Sequence, residues 1–281
     1  MDVVSNRHEI YAKLDHERNS GRKIGLIPTM GALHNGHISL VKKSREVCDV
    51  SVATIFVNPS QFGPKEDFSR YPRTLESDLE KLDKAGTDFV FVPDAQSIYP
   101  PGFSTYVEPP AVASKWDGEF RPGHFRGVTT VVLKLFQLIP ATVAFFGRKD
   151  FQQCAVIRRM VEDLNVPIRI EICPTVREPD GLAMSSRNRY LSQPERQQSL
   201  GLWHALQGAN DLIASGKRNV AEIEKAMRLI LSDHSIERVD YAVIVDEETL
   251  EPLTTIEKTA VILLAAHVGS TRLIDNLLIE V

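Results

Sequence analysis

Short runs of β-branched and apolar residues alternate with stretches of helical periodicity along the first 173 residues, and this alternation constrains the fold more than any other feature. The runs are Ile24 to Ile27, Val50 to Val57, Phe89 to Val92, Val143 to Phe146 and Ile168 to Ile172. Each has the length and near-continuous apolar character of a parallel strand covered on both faces. Between them, apolar residues recur at steps of three and four: Leu40, Val41, Ser44, Val47 and Cys48; Leu75, Leu79 and Leu82; Val128, Val131, Val132, Leu135 and Ile139; Val156, Ile157, Met160, Val161 and Leu164. That spacing lays one apolar stripe along a helix. Five strands alternating with four helices imply right-handed crossovers and a doubly wound, parallel α/β sheet.

The pattern changes after Pro174. A segment rich in Ser and charge leads to helices expected near Glu195 to Ile213 and Val220 to Leu231, then to apolar runs at Val239 to Val245 and Ala260 to Ala266. This reads as a smaller α+β domain. We therefore expect domains at residues 1–175 and 176–281, with Cys173 to Arg187 as the hinge and the crevice. The connection from Pro93 to Pro122 is unusually long, and loops of that length are functional or carry structure of their own.

Composition removes several classes of function. Lys and Arg number 33 against 37 Asp and Glu, a formal charge of −4, and so the chain lacks the basic excess that a nucleic-acid partner calls for. Cys48, Cys154 and Cys173 show no Cys-x-x-Cys spacing or zinc pattern, as in a reduced protein of the cytoplasm. Met1 to Ser20 lacks the apolar core of a signal peptide. The longest apolar stretch, Val128 to Ile139, is interrupted by Lys134 and Gln137 and falls short of a membrane span.

The chemistry-bearing residues fall at strand ends, where open α/β sheets bind ligands. After the first run comes Pro28-Thr-Met-Gly-Ala-Leu-His-Asn-Gly-His37, which is neither a G-x-G-x-x-G nor a P-loop sequence. Its H-x-G-H sets two imidazoles and Gly36 at a helix N-terminus, a place that favours a phosphate; the plainer alternatives are a histidine cap or half of a zinc pair. After the second run, Gln61 can donate and accept at once, or it can be a solvated residue of an Asn-Pro turn. The fourth run leads into Gly147-Arg148-Lys149-Asp150, suited to phosphate and ribose, with Gln152 and Gln153 on the next helix; Asp150 could instead be an N-cap. The fifth leads to Ser185, Ser186 and Arg187, a polyphosphate clamp or a charged linker.

Taken together, the segments Ile27–His37, Phe56–Phe62, Asp67–Thr74, Arg121–Val128, Lys149–Gln153, Asp180–Asn188 and Thr271–Asn276 resemble the pantothenate synthetase (pantoate:β-alanine ligase) family, within the wider H-x-G-H nucleotidyltransferases. The resemblance spans nearly the whole chain. It implies a Rossmann-like N-terminal domain with a C-terminal lid, and a cytoplasmic homodimer requiring Mg²⁺ with ATP. The implied reaction condenses pantoate with β-alanine through a pantoyl adenylate, releasing pyrophosphate and AMP.

Family roles carried onto matching positions make His37, His34 and Lys149 catalytic, with His37 the proton donor. ATP would be held by Met30, Gly31, Ala32, Leu33, His34, Asn35, Gly36 and His37, by Gly147, Arg148, Lys149 and Asp150, and by Val176, Met184, Ser185, Ser186 and Arg187. Pantoate would be held by Gln61 and Gln153, and β-alanine by Gln61. No metal ligand is assigned. Arg148 stands where the family usually has Glu, Trp116-Asp117-Gly118 replaces a usual Leu-Glu-Gly, and Ala141-Thr142 occupies a usual Pro-Asp. The rival readings are an adenylyltransferase that stops at a nucleotide product and a nucleotide-sensing module without turnover.

Overall fold

A computed structural model describes residues 1–64 and 66–281, which divide into two units: Met1–Arg148 with Gln152–Pro174, and Lys149–Phe151 with Thr175–Val281. In chain order the first carries β1 (Asp2–Val4), α1 (Arg7–Asn19), β2 (Ile24–Thr29), α2 (Asn35–Val47), β3 (Val50–Ile55), α3 (Leu75–Lys84), β4 (Phe89–Phe91), α4 (Ala95–Ile98), α5 (Asp117–Phe120), α6 (His124–Leu138), β5 (Val143–Gly147), α7 (Phe151–Asp163) and β6 (Arg169–Cys173). Its sheet is wholly parallel in the order β1-β4-β3-β2-β5-β6.

The five expected strands are therefore present, and β1 adds a sixth at the edge. Buried runs explain the centre: β3 is buried at every position and β2 at all but Pro28. Helix α2 lies close on β2 because Gly25 has no side chain; a Cβ there would run into Ser44 Oγ and the Phe145 ring.

Strand order reverses between β2 and β5, and the two strands part early. They pair only at Gly25–Val143 and Leu26–Ala144, whereas β2 and β3 pair over six positions. Beyond that pairing β2 continues through Pro28, which has no N–H to give a neighbour. The sheet thus opens toward the carboxyl ends of β2 and β5, the switch point where doubly wound sheets bind ligands.

The second unit holds α8 (Gln193–Gln198), α9 (Leu200–Ala214), α10 (Val220–Asp233), β7 (Val239–Val245), β8 (Thr259–Val268) and β9 (Thr271–Glu280). The last three form an antiparallel sheet in that order, and α9 and α10 share an apolar core with it. The helix expected over Glu195 to Ile213 is two helices, divided at the buried Ser199. Among the described residues no helix is long and apolar enough to cross a membrane.

Candidate active site

Within the first unit the segment leaving β2 is a tight left-handed turn, with Gly31 at φ +78° and Ala32 at φ +50°. Its amides point at one carboxylate: Ala32 N–H and Leu33 N–H donate to Asp78 Oδ2 and Oδ1, both at 2.8 Å, and Thr74 Oγ1 donates to Oδ2 at 3.2 Å. Asp78 is fully buried on α3. Gly31 is required twice over, by its backbone angle and because a Cβ would lie 3.1 Å from Asp78 Oδ2.

The turn delivers His34 to the N-cap of the 13-residue α2. Gly36 N–H donates to His34 Nδ1 and His34 N–H donates to His37 Nδ1, both at 3.2 Å, and the two rings lie 4.1 Å apart. The histidine-cap alternative thus holds for both residues. A neutral imidazole that accepts at Nδ1 carries its proton on Nε2. Such a ring capping α2 carries its N–H on Nε2 at the positive end of the helix, an end that favours anions.

Beyond β3, a three-residue 3₁₀ turn, Pro59–Gln61, carries Gln61, which is 8% exposed rather than solvated. Asn58 Nδ2 donates to Gln61 Oε1 at 3.1 Å and to Gly127 O at 3.1 Å, and Gln61 Nε2 lies 2.9 Å from Met30 Sδ. Asn58 is held in turn by Tyr99, whose hydroxyl donates to Asn58 Oδ1 at 2.8 Å and which burial pushes above the usual tyrosine range. A buried carboxamide with one side fixed offers its remaining hydrogen-bonding capacity in a set direction. The structure so brings Gln61 against Met30 of the turn that leaves β2.

The neighbours Gln152 and Gln153 part company on α7. Gln152 is buried, donating to Val112 O and Lys115 O at 2.9 and 2.8 Å and accepting from Asp117 N–H at 3.0 Å. It anchors the long connection before α6. Gln153, one residue and about 100° further round the helix, is half-buried.

In the second unit, Lys149 O accepts from Asn276 Nδ2 of β9 at 2.8 Å, and Lys149 Nζ lies 3.7 Å from Asp150 Oδ1. Asp150 closes a short 3₁₀ turn, Arg148–Asp150, ahead of α7. A hairpin from Val176 to Met184 turns at Gly181, with Met184 N–H donating to Val176 O at 3.0 Å. Arg177 pins this hairpin to β9 through Asp275 at 2.7 and 3.0 Å, and its guanidinium lies 4.0 Å over the Trp203 ring. Burial holds Asp275 above the usual carboxylate range even with Arg177 beside it. Ser185 caps the next 3₁₀ helix, Ser186–Tyr190, by accepting from Arg187 N–H at 3.3 Å, and β9 packs against that helix. Lys149 and the Met184–Arg187 stretch are thus both anchored on β9.

Among the described residues no group of three His, Cys, Asp or Glu is placed to cage a metal ion.

Sequence reasoning missed Asp78, Asn58, Tyr99 and Gln152 as the supports of this site. Only Asp78 had a local signal: it lies one helical turn before Leu82, on the buried stripe of α3, where an unpaired carboxylate would be costly.

A family model described as pantoate-beta-alanine ligase matches residues 2–278. The chain is 49% identical over 276 residues to the pantothenate synthetase of Thermotoga petrophila, covering 98% of this chain and 99% of that one. It is 51% identical over 284 residues to pantothenate synthetase 1 of Bradyrhizobium diazoefficiens, covering 100% and 99%. Among solved structures, pantothenate synthetase from Thermus thermophilus superposes with a TM-score of 0.94 at 45% identity, covering 99% of each chain. Pantoate-beta-alanine ligase from Francisella tularensis, complexed with beta-gamma ATP and beta-alanine, gives 0.81 at 35% identity, covering 99% of this chain and 97% of that one.

Proposed function

The chain belongs to the pantoate-beta-alanine ligase family, and on that premise we propose how its residues share the work of joining pantoate to β-alanine at the expense of ATP. It is a ligase that forms a carbon–nitrogen bond. A carboxylate does not condense with an amine in neutral water, so activation comes first. A carboxylate oxygen of (R)-pantoate attacks the α-phosphorus of ATP, the bond from that phosphorus to the bridging oxygen breaks, and pyrophosphate leaves. The neutral amine of β-alanine then attacks the acyl carbon of the pantoyl adenylate. The bond from that carbon to the phosphate oxygen breaks, AMP leaves with the electron pair, and the amine gives up one proton.

The observation that carries this reading is the pair of capped histidines beside the Met30–Gln61 contact. Negative charge grows on the departing phosphates, and the Nε2–H groups of His34 and His37 are donors held in place before it appears, which is how preorganised electrostatics lowers a barrier. His37 acts as proton donor. The Met30–His37 turn holds ATP, and Gln61 with Gln153 takes the hydroxyl and carboxylate groups of pantoate, Gln61 also serving β-alanine.

From the second unit and the turn before it, Gly147, Arg148, Lys149 and Asp150 serve ribose and phosphate, Val176 meets adenine through its backbone, and Met184, Ser185, Ser186 and Arg187 close on the triphosphate. We assign residues 1–175 to ATP and pantoate binding and 176–281 to a lid. Mg²⁺ bound to ATP would supply charge neutralisation on the phosphates, alongside Lys149 and Arg187. Homodimer formation and a cytoplasmic location rest on the family resemblance, and light scattering on the purified chain reads the first.

Product analysis tests the function. With ATP, pantoate and β-alanine all present, AMP and the amide should form in equal amounts. A nucleotide conjugate accumulating with no amine consumed would favour an adenylyltransferase, and ATP binding without turnover would favour a sensing module.

A further inference from the structure

The Arg121–Val128 segment has no part in the chemistry above, yet it is wired to it. His124 opens α6 and is 8% exposed. Its Nδ1 lies 2.9 Å from the main-chain carbonyl oxygen of Gln61, and its Nε2 lies 3.1 Å from Arg121 Nη1. A carbonyl can only accept and a guanidinium can only donate. The two contacts together leave one state for the ring: neutral, with the proton on Nδ1 and the lone pair of Nε2 facing Arg121.

Arg121 is held in turn by a two-point contact with Glu66, at 2.8 and 2.7 Å. Charged groups around the ring are Arg121, Glu66 and Asp117, and burial with the Arg121 charge pushes its pKa down to about 4. The Glu66–Arg121–His124 relay thus ends on the backbone of the residue whose carboxamide Asn58 fixes from the other side. Close approach is possible because Gly127, three residues along α6, has no side chain; a Cβ there would collide with Ser60 O and lie 2.6 Å from Gln61 N.

We propose that His124, locked as the Nδ1–H tautomer by Arg121 and Glu66, is a positioning residue that aims the Gln61 carboxamide at pantoate. The proposal rests on the assignment of Gln61 to pantoate. Two isosteres separate positioning from mere bulk: Asn places its amide nitrogen near the Nδ1 position and can still donate to Gln61 O, whereas Gln places it near Nε2 and cannot.

The experiment measures KM for pantoate and for ATP in Gln61→Ala, His124→Asn and His124→Gln. A buried group left without its partner weakens binding by roughly 5- to 150-fold. His124→Gln is expected to raise the pantoate KM by about 10-fold with the ATP KM within about 2-fold, and His124→Asn to keep both near wild type. Should His124→Gln fail to fold, Arg121→Ala gives the second readout. Without the guanidinium the neutral ring can hold its proton on Nε2 and lose the bond to Gln61, so relative to wild type the pantoate KM should rise with pH as the ring deprotonates. An unchanged pantoate KM in Gln61→Ala overturns the assignment of Gln61, and this proposal with it. A raised pantoate KM in Gln61→Ala, with equal shifts for both substrates or none in His124→Gln, or no pH dependence in Arg121→Ala, overturns the positioning role alone.

Discussion

Replacing Asp78 by Asn changes one atom type at a site with no solvent, and the consequence can be worked from the distances. Two backbone N–H groups, of Ala32 and Leu33, each donate at 2.8 Å to a different oxygen of a carboxylate that is fully buried. Hydrogen bonds to a charged acceptor contribute about 1.5–3 kcal/mol each. Asn keeps one acceptor oxygen, so one of the two bonds survives as a neutral pair and the other becomes an N–H facing an NH₂. The expected loss is one charge-assisted bond together with a buried donor lacking a partner, about 2–4 kcal/mol. That is a large part of the roughly 5–15 kcal/mol that holds a typical domain together. The two tryptophans lie one in each unit, Trp116 and Trp203, so urea unfolding followed by Trp116 fluorescence in a Trp203→Phe background reads the first unit by itself. Because the released turn carries His34 and His37, the ATP KM should also rise, by roughly 10-fold. A midpoint shift worth less than about 0.5 kcal/mol, the size of an ordinary surface change, would refute the view that Asp78 holds the turn after β2.

Gly127→Ala should cost about 1–3 kcal/mol, as overpacking does, and should raise the pantoate KM, because the added Cβ would displace the Ser60–Gln61 backbone; urea unfolding and steady-state kinetics check both. His124 should make the fold acid-sensitive: its pKa is lowered from 6.5 to about 4, so between those values the unfolded chain binds a proton that the folded chain refuses, and stability falls as pH falls, by at most about 3 kcal/mol. Glu66, held below the usual carboxylate range because Arg121 outweighs its burial, adds a further loss at lower pH, and the part of the slope due to His124 should vanish in His124→Asn. His37→Ala and Lys149→Ala should each lower kcat by about 10²-fold or more with an unchanged circular dichroism spectrum, the size of losing one preorganised donor; near-normal turnover would remove that residue from its assigned role.

The α/β architecture was legible because buried parallel strands need unbroken apolar runs, and β2, β3 and β5 have them. What was missed lacks that signature. The three residues of β1 bury only Val4, α1 buries only Ile10 and Leu14 among charged neighbours, and β9 interrupts its apolar pattern with the buried Asp275 and Asn276. The glutamine at position 61 could be read from its type, but its burial could not. Its environment is set by Asn58, by Met30 some 31 positions before it and by His124 some 63 after it. No periodicity encodes contacts of that range. The imidazoles of H-x-G-H show the reverse case, since the sequence offered a helix cap as one reading and the geometry shows it: Nδ1 of both rings caps α2.

Isotope exchange between labelled pyrophosphate and ATP tests most directly whether the histidine-capped turn and Gln61 serve a carboxylate-activating ligase. The adenylate scheme predicts exchange with Mg·ATP and pantoate alone, abolished when pantoate is left out and needing no β-alanine. Exchange that strictly requires β-alanine would contradict it, because bond formation to the amine would then be concerted with loss of pyrophosphate rather than preceded by a pantoyl adenylate.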